Sequence, residues 1–272
     1  MSGRLIDARV SQRLFFGVSA LLFSVSAAVT VVGGASMSAM GEMPMPGGWT
    51  MSMAWMRMCG QTWPGVAASF LGMWVVMMVA MMLPSLVPLL WRYREAVGGT
   101  GEARLGWLTV LVGAGYFFVW AAFGMAVFPL GAALAALEME LPALARAVPL
   151  TTGVIVLIAG ALQFTAWKAR RLACCRCEAP GRCRELSALP ADAATAWRHG
   201  LRLGLHCNAC CAGLTMILLV AGVMDLRVMA AVTAAITVER LAPRGERMAR
   251  VIGGGIAGAG VLLMVRAVVG LG

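Results

Sequence analysis

The sequence predicts an all-α, polytopic transmembrane helical bundle. Three observations carry that prediction. Of the 272 residues 61% are hydrophobic, against roughly 45–50% in soluble domains. Mean hydropathy is +0.85, an excess that a single water-soluble core cannot hold. Charged residues are only 12% of the chain, and they cluster between long apolar runs, as spans and their loops require.

Windows of about 20 apolar residues mark candidate bilayer crossings. The first is 14–32, preceded by the basic segment 1–13 with Arg4, Arg9 and Arg13. It resembles a signal peptide, but its length favours a retained anchor. Further spans are expected at about 66–90, 106–130, 148–167, 203–223, 228–241 and 251–269. The sixth is short, so the count is about seven, or six if the first is cleaved or the sixth does not cross. The organisation is then a basic N-terminus (1–13), an anchor (14–32), a Met-rich extracytoplasmic loop (33–65), a membrane domain (66–243) and a last span (244–272).

Orientation follows from the 22 Lys and Arg residues. With the N-terminus inside, only Arg57, Arg146, Arg227 and Arg266 fall outside the cytoplasmic segments. That asymmetry predicts a multi-pass protein of the inner (plasma) membrane with a cytoplasmic N-terminus. It also explains the net charge of +10 without nucleic acid, for which no binding motif is present. The glycine-rich stretch Gly253-Gly254-Gly255, Gly258, Gly260 is expected to serve close helix packing.

Sulfur is the chemical signature. Eight methionines lie between Met37 and Met58, among them Met51, Met53 and Met56, in mostly M-x-M and M-x-x-M spacing. Thioethers are soft, neutral ligands suited to Cu(I); the competing reading is an interfacial loop packed on the helix ends. In the second span Met73, Met77 and Met81 recur at i, i+4, i+8, with Met78 and Met82 on the adjacent ridge. This face is either a sulfur track or packing. Pro84 and Pro88 are expected to break or kink that helix.

Cysteines form two groups. Cys174, Cys175, Cys177 and Cys183 lie in a cytoplasmic loop; His206, Cys207, Cys210 and Cys211 open the fifth span. Cys207, Cys210 and Cys211 share one helical face and could hold Cu(I) or, with one more ligand, Zn(II). A cytoplasmic location keeps thiols reduced, favouring metal over disulfides, and neighbouring Arg residues favour thiolates. Simple packing or palmitoylation is the alternative. Glu239 and Asp225 are expected at solvated span ends, and Gln163 is deep enough to need a helix partner.

Trp74…Met77-Met78…Ala80-Met81-Met82-Leu83-Pro84…Pro88 resembles a signature of the bacterial family of predicted metal-binding integral membrane proteins. So do Gly115-Tyr116…Trp120, Gln163…Thr165…Lys168…Cys174…Cys177…Pro180, and Gly200-Leu201…Gly204…Cys207-x-x-Cys210-Cys211…Met216…Glu239-Arg240. The likeness covers about residues 66–243. It departs at Ala212, where the family carries an aromatic residue, and at Cys177-Glu178-Ala179-Pro180, where it carries Cys-Arg-x-Pro. The domain is formally of unknown function, and some members are labelled copper chaperones. The resemblance implies metal binding but no reaction.

The leading expectation is therefore a Cu(I)-handling membrane protein acting in capture, transfer or delivery to a cuproenzyme or membrane complex under assembly. Its expected ligands are Cys207, Cys210, Cys211, His206, Cys174, Cys177, Met77, Met78, Met81, Met82, Met51, Met53 and Met56. A thiol-redox membrane protein and a metal-free assembly scaffold contacting anionic lipid are the alternatives. No acid–base pair or activated nucleophile is evident, so catalysis is not expected.

Overall fold

The computed structural model describes residues 2–39, 43–52, 55–57, 60–97, 101–175, 191–223 and 225–270. Among them are eight helices and one short hairpin: α1 (Ser2–Ala39), β1 (Met43–Met45), β2 (Trp49–Met51), α2 (Trp63–Ala96), α3 (Glu102–Glu140), α4 (Pro142–Leu162), α5 (Ala166–Cys175), α6 (Ala193–Ala221), α7 (Leu226–Leu241) and α8 (Gly245–Gly270). Six helices, all but α5 and α7, are long and apolar enough to cross a bilayer. Large apolar side chains such as Leu21, Val32, Leu130 and Val251 remain outside the packed core, as they can when lipid is the solvent. The chain is an all-α membrane bundle.

α7 has 16 residues and spans only about 24 Å, less than the roughly 30 Å of a hydrocarbon core. Its packing nevertheless carries the chain from one end of the bundle to the other. Leu226, at its start, meets Gly34 near the end of α1. Glu239, near its finish, meets Gln163 at the end of α4. A short helix can do this because its polar end is satisfied by protein rather than by water.

Two close helix pairs organise the core. α3 and α6 run in the same direction, with Gly200 against the Val112 carbonyl and Gly204 against Tyr116 and Val119. α4 and α8 run antiparallel, with Gly153 against Met264, Gly160 against Ala257 and Gly253 against Gln163. The expected packing role of the last span's glycines thus applies to Gly253 and Gly260, whereas Gly254, Gly255 and Gly258 face open space. Small residues of this kind allow backbone-to-backbone approach in membranes.

Several expectations about boundaries change. α2 continues as one helix through Pro84 and Pro88. Each proline removes one backbone hydrogen bond, and burial among neighbouring helices makes that tolerable. α4 stops at Leu162, five residues before the expected end. There Thr165 Oγ donates to the Leu162 carbonyl (2.7 Å) and accepts from Lys168 N (3.2 Å), so the chain turns and restarts as α5. α6 begins at Ala193, ten residues ahead of the apolar window, because Asp192 caps it by accepting from Thr195 N (3.0 Å). The segment around Cys207 is consequently mid-helix, not a helix start.

At the far end from α5, the β1–β2 hairpin folds back on the bundle. Met43 pairs with Met51 and Met45 with Trp49. The Trp49 indole donates to the Ala145 carbonyl (2.8 Å). Met45 and Met51 are buried against Ala135 and Ala145, with Met56 half-buried beside them.

Candidate metal centre

Backbone packing sets the site before any side chain does. The close approach of α3 and α6 at Gly200 and Gly204 brings Tyr116 beside Cys207, whose Oη and Sγ atoms lie 2.8 Å apart. α2 supplies Met82 on the other side, with the Cys207 thiol directed at its thioether at 3.9 Å. α7 ends here with Arg240. One guanidinium nitrogen, Nη2, donates to Cys207 Sγ at 2.9 Å and to Cys211 Sγ at 3.5 Å. It also reaches Cys175 Sγ, from α5, at 3.9 Å. α5 and α6 thus direct three sulfur atoms at one cationic nitrogen from α7, while α2 and α3 bring a thioether and a phenol against the nearest of those sulfurs.

Burial is nearly complete. Cys207, Cys210 and Cys211 are 1–2% exposed, Met82 is 1% and Tyr116 0%. The sulfurs lie inside the bundle, packed among helices. Cys210 packs with Leu172, Cys175 and Ala249, while Cys207 and Cys211 belong to the main core. The described cysteines carry no disulfide.

A buried ionic layer adjoins the sulfurs. Lys168 Nζ pairs with Glu239 at 2.7 Å and also donates to the Cys210 carbonyl at 2.9 Å. Gln163 Nε2 donates to the other Glu239 oxygen at 2.8 Å. The expectation that Gln163 needs a helix partner holds, and Glu239 is that partner. The expectation of a solvated Glu239 does not, since it is 2% exposed. Asp225, by contrast, does cap α7 at an exposed turn. Arg240 Nη1 completes the layer by donating to Ser85 Oγ (3.2 Å).

The expected ligands are therefore distributed as follows. Cys207, Cys211 and Met82 converge, with Cys210 adjacent. Met77, Met78 and Met81 are buried in the same core on the α2 ridge leading to Met82. His206 is half-buried, and its ring nitrogen Nδ1 bonds the Arg202 carbonyl of its own helix (2.7 Å). Its carbonyl is the nearer link to the site, accepting from Cys175 at 3.6 Å. Cys174 is half-buried. Met51 and Met56 sit in the hairpin cluster away from the cysteines. Met53 and Cys177 lie outside the described residues. Sequence reasoning missed Cys175, Tyr116, Lys168 and Arg240 as site residues. The usable signal was the rarity of Lys and Arg beside apolar windows, which marks intramembrane charge as functional by default.

The donor set suits a soft monovalent ion better than a hard one. Among the described residues no three Cys, His, Asp or Glu side chains form a ready metal-binding group. The converging donors are instead thiols plus a thioether, soft ligands of the kind that hold copper or other soft metals. Cys207 Sγ and Met82 Sδ lie 3.9 Å apart, close enough that both could hold one soft ion.

A family model described as "Copper chaperone" matches residues 71–263. No curated protein and no solved structure matches the chain.

Proposed function

The chain belongs to this copper-chaperone family, and on that premise we propose that it holds Cu(I) as cargo within the membrane, between Cys207, Cys211 and Met82. The supporting observation is the convergence of sulfurs from α2, α5 and α6 in one buried pocket. Soft sulfur ligands in a water-poor site favour a low-coordinate monovalent ion over Zn(II), which takes four ligands.

The ridge Met77, Met78, Met81, Met82 supplies a route to that pocket from the end of the bundle that carries the Met-rich hairpin. In this reading Met51 and Met56 receive the ion, the α2 thioethers pass it on, and the cysteines retain it for delivery to a cuproenzyme under assembly. The hairpin end then faces the extracytoplasmic side of the inner membrane, with the N-terminus in the cytoplasm, as the Lys and Arg distribution suggests.

Elemental analysis of detergent-purified protein loaded anaerobically with Cu(I) tests the site. The wild type is expected to retain copper, and Cys207→Ser/Cys211→Ser to lose most of it. Unchanged copper content in the double variant would sink the assignment. Met82→Leu provides a finer test, because Leu replaces Met with little change of volume. It is expected to fold normally and to weaken Cu(I) binding about 10-fold or more, by loss of one soft ligand. Chelator competition measures this, and an unaltered affinity would remove Met82 from the ligand set.

A further inference from the structure

The position of Arg240 carries a second inference, which rests on the copper reading above. Its Nη2 atom contacts Cys207, Cys211 and Cys175. It therefore stands where an ion shared by those sulfurs would stand. An ion bonded to both Cys207 and Cys211 would need the space between those sulfurs, where Nη2 lies 2.9 Å from the first and 3.5 Å from the second. We propose that Arg240 is a resident cation of the sulfur cluster that is displaced when Cu(I) binds and returns to expel it.

Three features fit this role. The adjacent carboxylate of Glu239 is held by Lys168 and Gln163, so the Arg240 charge is directed at sulfur. Arg240 Nε is buried with no hydrogen-bond partner, so the guanidinium is held at its far edge alone. That edge is anchored through Nη1 to Ser85 Oγ, a pivot about which Nη2 can leave the pocket while the charge stays nearby. Arginine does not deprotonate, so the exchange is one monovalent cation for another. Copper remains Cu(I), the thiol protons of the ligating cysteines leave to solvent as the Cu–S bonds form, and the displaced guanidinium stays close enough to repel the ion.

The direction of the effect separates this role from that of a simple counter-charge. Protein in detergent is loaded with Cu(I) anaerobically and chased with excess bathocuproine disulfonate, and release is followed by the absorbance of the copper–chelator complex. Arg240→Gln is expected to release copper about tenfold more slowly than wild type, because close like charges repel strongly in a water-poor site. Arg240→Leu, apolar and without a metal-ligating atom, is the reserve should Gln not fold, and the same slowing is expected. Release at an unchanged or faster rate in the folded variants, with copper retained by wild type through Cys207, would overturn the Arg240 inference alone. Absence of Cys207-dependent copper in wild type would overturn both.

Discussion

Replacing Lys168 by alanine is expected to destabilise the protein by about 3–5 kcal/mol, the cost of leaving one partner of a buried ion pair behind. Lys168 is 4% exposed and Glu239 2%. Their 2.7 Å contact joins α5 to α7, and the same ammonium ties α5 to α6 through the Cys210 carbonyl. In Lys168→Ala the Glu239 carboxylate loses that ammonium and keeps the amide of Gln163. The double variant Lys168→Met/Glu239→Gln removes both charges and is expected to recover most of the loss, since no unpaired charge is left buried and the new amide can still accept from Gln163. Reversible unfolding in detergent and denaturant measures both. A single variant within about 1 kcal/mol of wild type would show that the pair contributes nothing to the assembly of this layer. Because the layer lies under Cys210 and beside Arg240, Cu(I) retention should fall in parallel with stability and return in the double variant.

Gly200→Ala is expected to be the most damaging single methyl addition, at about 2–3 kcal/mol. Its added Cβ would overlap the Val112 carbonyl, which is backbone and cannot turn aside. α3 and α6 must separate, and Tyr116 is carried away from Cys207, one turn further along the same contact. The variant should therefore lose copper as well as stability. Gly254→Ala is the matched comparison, because nothing lies within 4 Å of its would-be Cβ. It should be neutral or stabilising by up to about 1 kcal/mol, from helix propensity. Equal melting temperatures for the two variants would refute the close α3–α6 contact as the element that sets the site.

Much of this was legible in the sequence because it depends on local chemistry. Apolar run length reports bilayer crossing, and helical spacing placed Met77, Met78, Met81 and Met82 on adjoining ridges before any neighbour was known. The i, i+3, i+4 spacing of Cys207, Cys210 and Cys211 likewise put them on one side of α6, and all three are buried. The helix ends were less legible. The polar first turns of α6 carry Arg198 and Arg202 and read as loop, although the Asp192 cap makes them helix. The end of α4 read as span, although Thr165 turns the chain there.

Sequence by itself determined the class of molecule: an all-α membrane bundle rich in soft sulfur ligands, with similarity to a metal-binding family. Only the tertiary structure decided how those ligands meet. Met82 and Cys207 are 125 positions apart, Tyr116 and Cys207 are 91, and Arg240 and Ser85 are 155. Periodicity assigns a side chain to a face, whereas the neighbour across that face is chosen by which backbones can approach. Here glycines at Gly200, Gly204, Gly153 and Gly160 make that choice. It turns Arg240 and Glu239, which read as a helix end meeting water, into buried charges facing sulfur and lysine.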